Sequence, residues 1–196
     1  MSRFNAKRLC LWIAAIAIMA TTVPRLAQAS DDQAAWMALK SGAIVLFRHA
    51  NAPGGGDPPG MRLDDCATQR NLDDAGRAQA RRIGQMFRER TIEVGRVLTS
   101  RWCRAAETAE LAFPGRAIPE PAFDSFFADR SRGPAQTEEA RRILLAWEGP
   151  GSLVVTTHQL TILALTDLAT ASGEGIVLQR RGEKLVVIGR IRTLEN

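Results

Sequence analysis

Apolar residues in this chain fall into short runs that break off at polar side chains, and between the runs they recur at intervals of three and four. Residues 43–47 read Ala-Ile-Val-Leu-Phe, end at Arg48 and His49, and open into a Pro/Gly-rich stretch at 51–60. Consecutive apolar residues bounded by a loop predict a buried strand. Residues 96–100 and 152–158 repeat the arrangement, ending at Thr99 and Ser100 and at His158. A shorter strand is expected at 116–119. The region 174–194 predicts a hairpin, with strands near 176–178 and 185–188 and a turn at Arg181, Gly182 and Glu183.

Helical spacing fills the intervals. Residues 31–40 predict a short helix ahead of the first strand. Asp73 can cap residues 74–90, whose Ala80, Ile83 and Phe87 share one face while Arg77, Arg81, Arg82 and Arg88 point outward. Residues 101–112 are alanine-rich and helical up to Phe113, Pro114 and Gly115. Residues 136–147 place Ala140, Ile143, Leu144 and Trp147 toward a core, and residues 160–171 form an apolar helix directly after His158. Strands alternating with helices imply the α/β class, as a three-layer α/β/α sandwich around a mostly parallel sheet. No repeat or linker divides the chain. In open α/β sheets, ligands lie outside the carboxyl ends of the strands. Arg48 with His49, Ser100 with Arg104, and His158 are therefore expected to meet at one edge.

The amino terminus adds a separate expectation. Arg3, Lys7 and Arg8 precede an apolar stretch at 11–20, and Ala27-Gln28-Ala29 follows. Basic residues, a short apolar core and a small-x-small site describe a secretory signal, too short for a permanent transmembrane helix. Cleavage is expected after Ala29, with an uncleaved anchor as the other outcome; residues 30–196 are then one catalytic domain, exported and periplasmic, with no stable membrane insertion. Residues 1–29 hold four basic and no acidic side chains, so the net charge of +5 becomes +1 without them. A nearly balanced chain gives no general argument for nucleic acid as a partner. Cys66 and Cys103 remain, and an even pair in an exported protein is read first as a disulfide, two buried free thiols being the alternative.

Two guanidiniums and two imidazoles at one sheet edge suit a doubly charged oxyanion, because arginine's planar fork matches phosphate geometry. Two histidines without a carboxylate partner make a poor metal site, so no metal or other cofactor is expected. The loop at 51–60 fits neither the phosphate-loop pattern nor the dinucleotide fingerprint and is expected to be a mobile rim.

Four motifs in order carry a resemblance. They are Arg48-His49-Ala50; Arg70-Asn71-Leu72-Asp73-Asp74-Ala75-Gly76 with Gln79-Ala80; Thr99-Ser100 with Arg104-Ala105 and Thr108; and His158 at a strand end. Together they resemble the histidine phosphatase superfamily. The resemblance implies a phosphoglycerate mutase-like fold and a small phosphorylated substrate. It also implies His49 as the nucleophile that forms a phosphohistidine, with Arg48, Arg104 and His158 holding the phosphate oxygens. For that work His49 must be neutral and His158 cationic, pushed opposite ways by their surroundings. A phosphomonoester hydrolase follows, with envelope sugar phosphates as one substrate class. A silent phosphate-binding protein and a phosphohistidine phosphatase are the other readings.

The neighbours are less determined. Asn51 and Arg70 either reach the substrate or fix the loop, and Arg101, one helical turn before Arg104, either adds charge to the site or lies on the surface. Ser100 and Thr108 are expected to satisfy backbone groups at the helix start ahead of touching phosphate, with Ser100 kept as a substrate-binding candidate. Two departures from the family pattern stand out: Ala50 replaces a frequent glycine, and Gln159 follows His158 where one branch of the family carries its acid, an aspartate. Asp124 is the expected acid instead, with Asp129, Glu120 and Glu174 as further candidates. Substrate recognition is expected from residues 51–67 and 116–132.

Overall fold

The computed structural model describes residues 23–193, with side chains from residue 32 onward. Most of the expected signal segment, residues 1–22, lies outside the described residues. The first helix among the described residues, α1 (Val23–Lys40), runs through the expected cleavage point and begins before the predicted residue 31. Among the described residues no helix is long and apolar enough to cross a membrane.

Six strands form one sheet: β1 (Ile44–Arg48), β2 (Val94–Thr99), β3 (Ala117–Pro119), β4 (Ser152–Thr157), β5 (Gly175–Arg181) and β6 (Lys184–Ile191). Their order is β3-β2-β4-β1-β5-β6. The first four are parallel, while β5 runs antiparallel to β1 and to β6. Four helices follow α1: α2 (Asp74–Glu89), α3 (Cys103–Ala112), α4 (Gly133–Leu145) and α5 (Gln159–Thr166).

The alternation of side chains along β1 explains the layering. Val45 and Phe47 face a core shared with Leu39 of α1, Ile83 and Phe87 of α2, and Ala109 of α3. Ile44 and Leu46 face the opposite core, with Ala140 and Leu144 of α4 and Ile162 of α5. A strand covered on both faces must be apolar at every position, which is why residues 43–47 form an unbroken run. The α/β/α sandwich and the mostly parallel sheet are thus as expected.

Several boundaries differ. Helix α3 starts at Cys103 because Arg101 and Trp102 are extended or turned, and α4 starts at Gly133 with Pro134 in its first turn, where a missing N–H costs nothing. Helix α5 stops at Thr166, well short of residue 171, because Asp167 takes a left-handed conformation at φ 59° and ends the hydrogen-bond ladder. Strands β5 and β6 are longer than predicted.

Candidate functional site

The parallel strands place the candidate residues. β4 lies between β1 and β2, so the carboxyl ends of all three adjoin, and His49, Ser100 and His158 emerge side by side. The His49 N–H donates to Thr157 O at 2.9 Å and the Ser100 N–H to Thr156 O at 2.9 Å, which continues the ladder one residue past each strand. The two imidazole rings end up 5.5 Å apart, centroid to centroid.

Helix α2 is seated on the same edge. Asp73 caps it by accepting from the Gly76 N–H at 2.6 Å, and its other oxygen accepts from Asn51 Nδ2 at 2.8 Å. A Cβ on Gly76 would lie 2.0 Å from Asn51 O, so only glycine lets the helix start approach the loop after His49. Asn51 therefore fixes the loop, and its side chain is occupied by Asp73. Thr108 bridges β1 and α3: its Oγ1 accepts from the Ala50 N–H at 3.0 Å and donates to Arg104 O at 2.7 Å.

A pocket of about 280 Å³ opens at this edge, with Arg48, His49, Arg70, Arg104 and His158 lining its floor. The Nε atoms of Arg48, Arg70 and Arg104 are buried without a hydrogen-bond partner in the protein. Arg48 is aimed by one bond, Nη1 to Thr170 O at 2.9 Å. Arg70 Nη1 donates to Ala52 O. Burial and the neighbouring guanidiniums lower the pKa of both Arg48 and Arg70, in Arg70 against the raising effect of Asp57, which marks the floor as carrying an excess of positive charge.

His49 is held as a neutral ring with a defined tautomer. Its Nδ1 lies 2.7 Å from Ala50 O, and a carbonyl can only accept, so Nδ1 carries the proton and Nε2 keeps its lone pair. Burial pushes its pKa down to about 3, against the raising effect of the Ala50 carbonyl and with help from Arg104, Arg48 and Arg70.

His158 corrects an expectation. It was expected to be cationic, yet burial and then Arg104, His49, Arg70 and Arg48 push its pKa well below the ordinary value. The same cations that suit a phosphate oppose a charge on either ring. Its Nε2 lies 2.8 Å from Ser100 Oγ. Ser100 thus does more than satisfy backbone, although it also accepts from the Trp102 N–H at 3.2 Å.

Asp124 is the second correction. Its carboxylate is fully buried outside the pocket lining and accepts from Arg101 three times: from the backbone N–H and Nε at 2.8 Å each and from Nη2 at 2.5 Å. Turned toward Arg101 and outside the lining, this carboxylate does not face a leaving group in the pocket. Arg101 is consequently engaged away from the floor. The other expected acids are also occupied elsewhere. Glu120 and Asp129 cap short 3-10 turns, and Glu174 pairs with Arg190 at 3.0 Å.

The carboxylate that does line the pocket, Asp57, was hidden in the glycine-rich loop. Its Oδ1 accepts from Arg104 Nη1 at 2.6 Å and from the Arg70 N–H at 3.2 Å; its Oδ2 accepts from Arg104 Nη2 at 3.2 Å and from Trp102 Nε1 at 3.0 Å. Burial alone would raise its pKa, but Arg104, the Arg70 backbone and Trp102 hold it below the usual range. A lone acid in an uncharged Gly/Pro loop just after Arg48-His49 was the available signal. The Cys66–Cys103 disulfide, with Cα atoms 5.7 Å apart, ties this loop to the first residue of α3, beside Arg104.

The family model of the histidine phosphatase superfamily (branch 1) matches residues 44–147. The chain belongs to the histidine phosphatase superfamily. Solved structures show the same fold. The protein histidine phosphatase SixA complexed with tungstate aligns with a TM-score of 0.59 at 17% identity, covering 76% of this chain and 96% of that one. A phosphoserine phosphatase from Entamoeba histolytica in complex with 3-phosphoglyceric acid gives 0.54 at 12% identity, covering 78% and 98%. YhfR from Bacillus stearothermophilus gives 0.54 at 15% identity, covering 74% and 95%. No curated protein matches the chain. Within this superfamily member, the matched segment carries the Arg48-His49 strand end, Asp57, Arg70 and Arg104, while His158 lies beyond it.

Proposed function

We propose that this superfamily member is a phosphatase that transfers the phosphoryl group of a phosphate monoester to His49 Nε2 and then to water, with no metal. The lone pair on Nε2 attacks phosphorus, the bond to the leaving oxygen breaks, and that oxygen departs with its electron pair. Water then attacks phosphorus, the P–N bond returns its electrons to Nε2, and inorganic phosphate leaves. Arg48, Arg70 and Arg104 offer their buried donors to the oxygens that carry charge throughout.

Charge balance supports a dianion. Three arginines and the ionised Asp57 leave the floor at +2 when both rings are neutral, which matches a monoester dianion and overshoots a diester. The absence of a protonated carboxylate in the lining, among the described residues, supports leaving groups that need no proton from the protein: aryl and acyl oxygens, and phosphoramidate nitrogens protonated from solvent, ahead of alkyl esters. Phosphohistidine belongs to that group. Export is part of the reading, supported by the amino-terminal pattern and the accessible disulfide; envelope sugar phosphates, being alkyl esters, are then the slower class of monoester for this site.

The observation that carries the proposal is the free Nε2 of a neutral His49 at the floor of an arginine pocket. Hydrolysis of p-nitrophenyl phosphate, with and without chelator, tests it. Turnover that survives chelation and disappears in His49→Ala supports the phosphatase; phosphate binding with no turnover supports a silent binding protein.

A further inference from the structure

The pocket has two chemically distinct zones. Every charged or titratable lining residue belongs to the floor. The mouth is lined by Phe127, Leu160, Ser125, Gln159 and the three glycines at 54–56, none of which carries charge. Phe127 is 54% exposed, and it is the large exposed apolar residue that lines this pocket. Its ring is held by Arg130, whose guanidinium lies 5.6 Å from the ring centroid without lining the pocket. The facing wall is nearly bare backbone: a Cβ on Gly56 would touch the Phe127 ring edge at 3.6 Å, and one on Gly55 would meet nothing within 4 Å.

We propose that Phe127 and the facing glycines select substrates whose leaving group is an uncharged ring. The proposal rests on the reading of the floor as a phosphate site and adds the part of the substrate that is not phosphate. The part of the Phe127 ring that Arg130 does not cover gains from a flat apolar partner, and the open space beside Gly55 leaves room for one next to the ring. A carboxylate on the leaving group would instead be desolvated against the ring, and Arg130, the cation beside it, is engaged on the ring and does not line the pocket. Aryl, heteroaryl and sugar rings fit this mouth; phosphorylated hydroxy acids and amino acids do not. Residues 54–56 and 125–127, which supply two walls of the mouth, belong to no helix or strand.

Calorimetric titration of the purified protein with benzylphosphonate, 2-carboxyethylphosphonate and inorganic phosphate tests the proposal without depending on turnover. Benzylphosphonate is expected to bind at least about ten-fold tighter than the carboxylate analogue, a difference of about 1.4 kcal/mol. Phe127→Ala, at an exposed position, is expected to remove that preference while leaving phosphate affinity within about two-fold, a change of about 0.4 kcal/mol. Equal or reversed affinities in the unaltered protein would overturn the proposal, as would a Phe127→Ala variant that loses phosphate and benzylphosphonate affinity alike. Failure of the phosphatase reading looks different: the binding preference persists while p-nitrophenyl phosphate is not turned over.

Discussion

Acid should destabilise this protein in a way that His49→Gln relieves. The ring is 2% exposed and its pKa falls from 6.5 to about 3 on folding, burial being the largest cause. Between those values the unfolded chain binds a proton at His49 and the folded chain does not, so stability falls as pH drops below 6.5. At about pH 4.5 the loss from this one group is about 2.7 kcal/mol. The assay is urea unfolding of both proteins at about pH 7 and about pH 4.5. With a slope near 2 kcal/mol per molar urea, the midpoint of the unaltered protein should fall by about 1.3 M more than that of the variant. The carboxylates and the burial of His158 are common to both proteins; the part of the His158 shift that His49 causes is lost in the variant, which adds to the difference in the same direction. Equal falls would refute the reasoning: His49 would then take its proton as readily when folded, and Nε2 would lack a lone pair in mild acid.

Three further outcomes follow from the contacts around the floor. Asp57→Ala leaves the Arg104 guanidinium, 3% exposed, without its fork, and it should cost about 2–4 kcal/mol of stability and at least about ten-fold in kcat/KM, mostly through KM; an unchanged melting temperature would count against it. Asp124→Asn should cost about 1–3 kcal/mol, discounted because Arg101 is 41% exposed, and slow aryl and alkyl phosphates in equal proportion. Selective loss of alkyl ester hydrolysis by about 10²-fold or more would restore Asp124 as the acid. Replacing Cys66 and Cys103 by serine opens a loop with a sequence separation of 37 and should cost about 3–4 kcal/mol in urea unfolding, with weaker phosphate binding as the Asp57 loop loosens.

What could be read from the sequence was whatever a repeating pattern enforces. The apolar run at 43–47 had to be a strand covered on both faces, and the strand ends then fixed where His49, Ser100 and His158 would meet. The cap at Asp73 was readable for the same reason, having a local job at the start of α2, whereas the need for glycine at Gly76 comes from Asn51, far earlier in the chain. Asp57 was not readable, because a Gly/Pro loop has no period and its acid gains meaning only when Arg104 and Trp102 arrive from α3 and its approach. Asp124 misled for the converse reason. It lies in the expected region, but nothing in the sequence tells that Arg101 turns back to saturate it. Phe127 was equally silent, one aromatic among several in a segment without pattern.

His158 resists the expected charge because it is buried among the arginines that would hold the phosphate, and they oppose a proton on its ring. A protonated ring among Arg48, Arg70 and Arg104 is opposed by each of them until a dianion arrives. Ser100 offers a way around this cost. Its hydroxyl carries one proton and has two acceptors in reach, His158 Nε2 at 2.8 Å and Asp124 Oδ1 at 3.3 Å. Given to Nε2, that proton leaves the neutral ring with its own hydrogen on Nδ1, so His158 can donate a hydrogen bond without first becoming a cation. Asp124 tolerates the loss because Arg101 already satisfies it three times. The buried Asp124–Arg101 pair thus acts on the floor at one remove, by leaving the serine free to set the tautomer of the second histidine, while Asp57 sets the orientation of Arg104 directly.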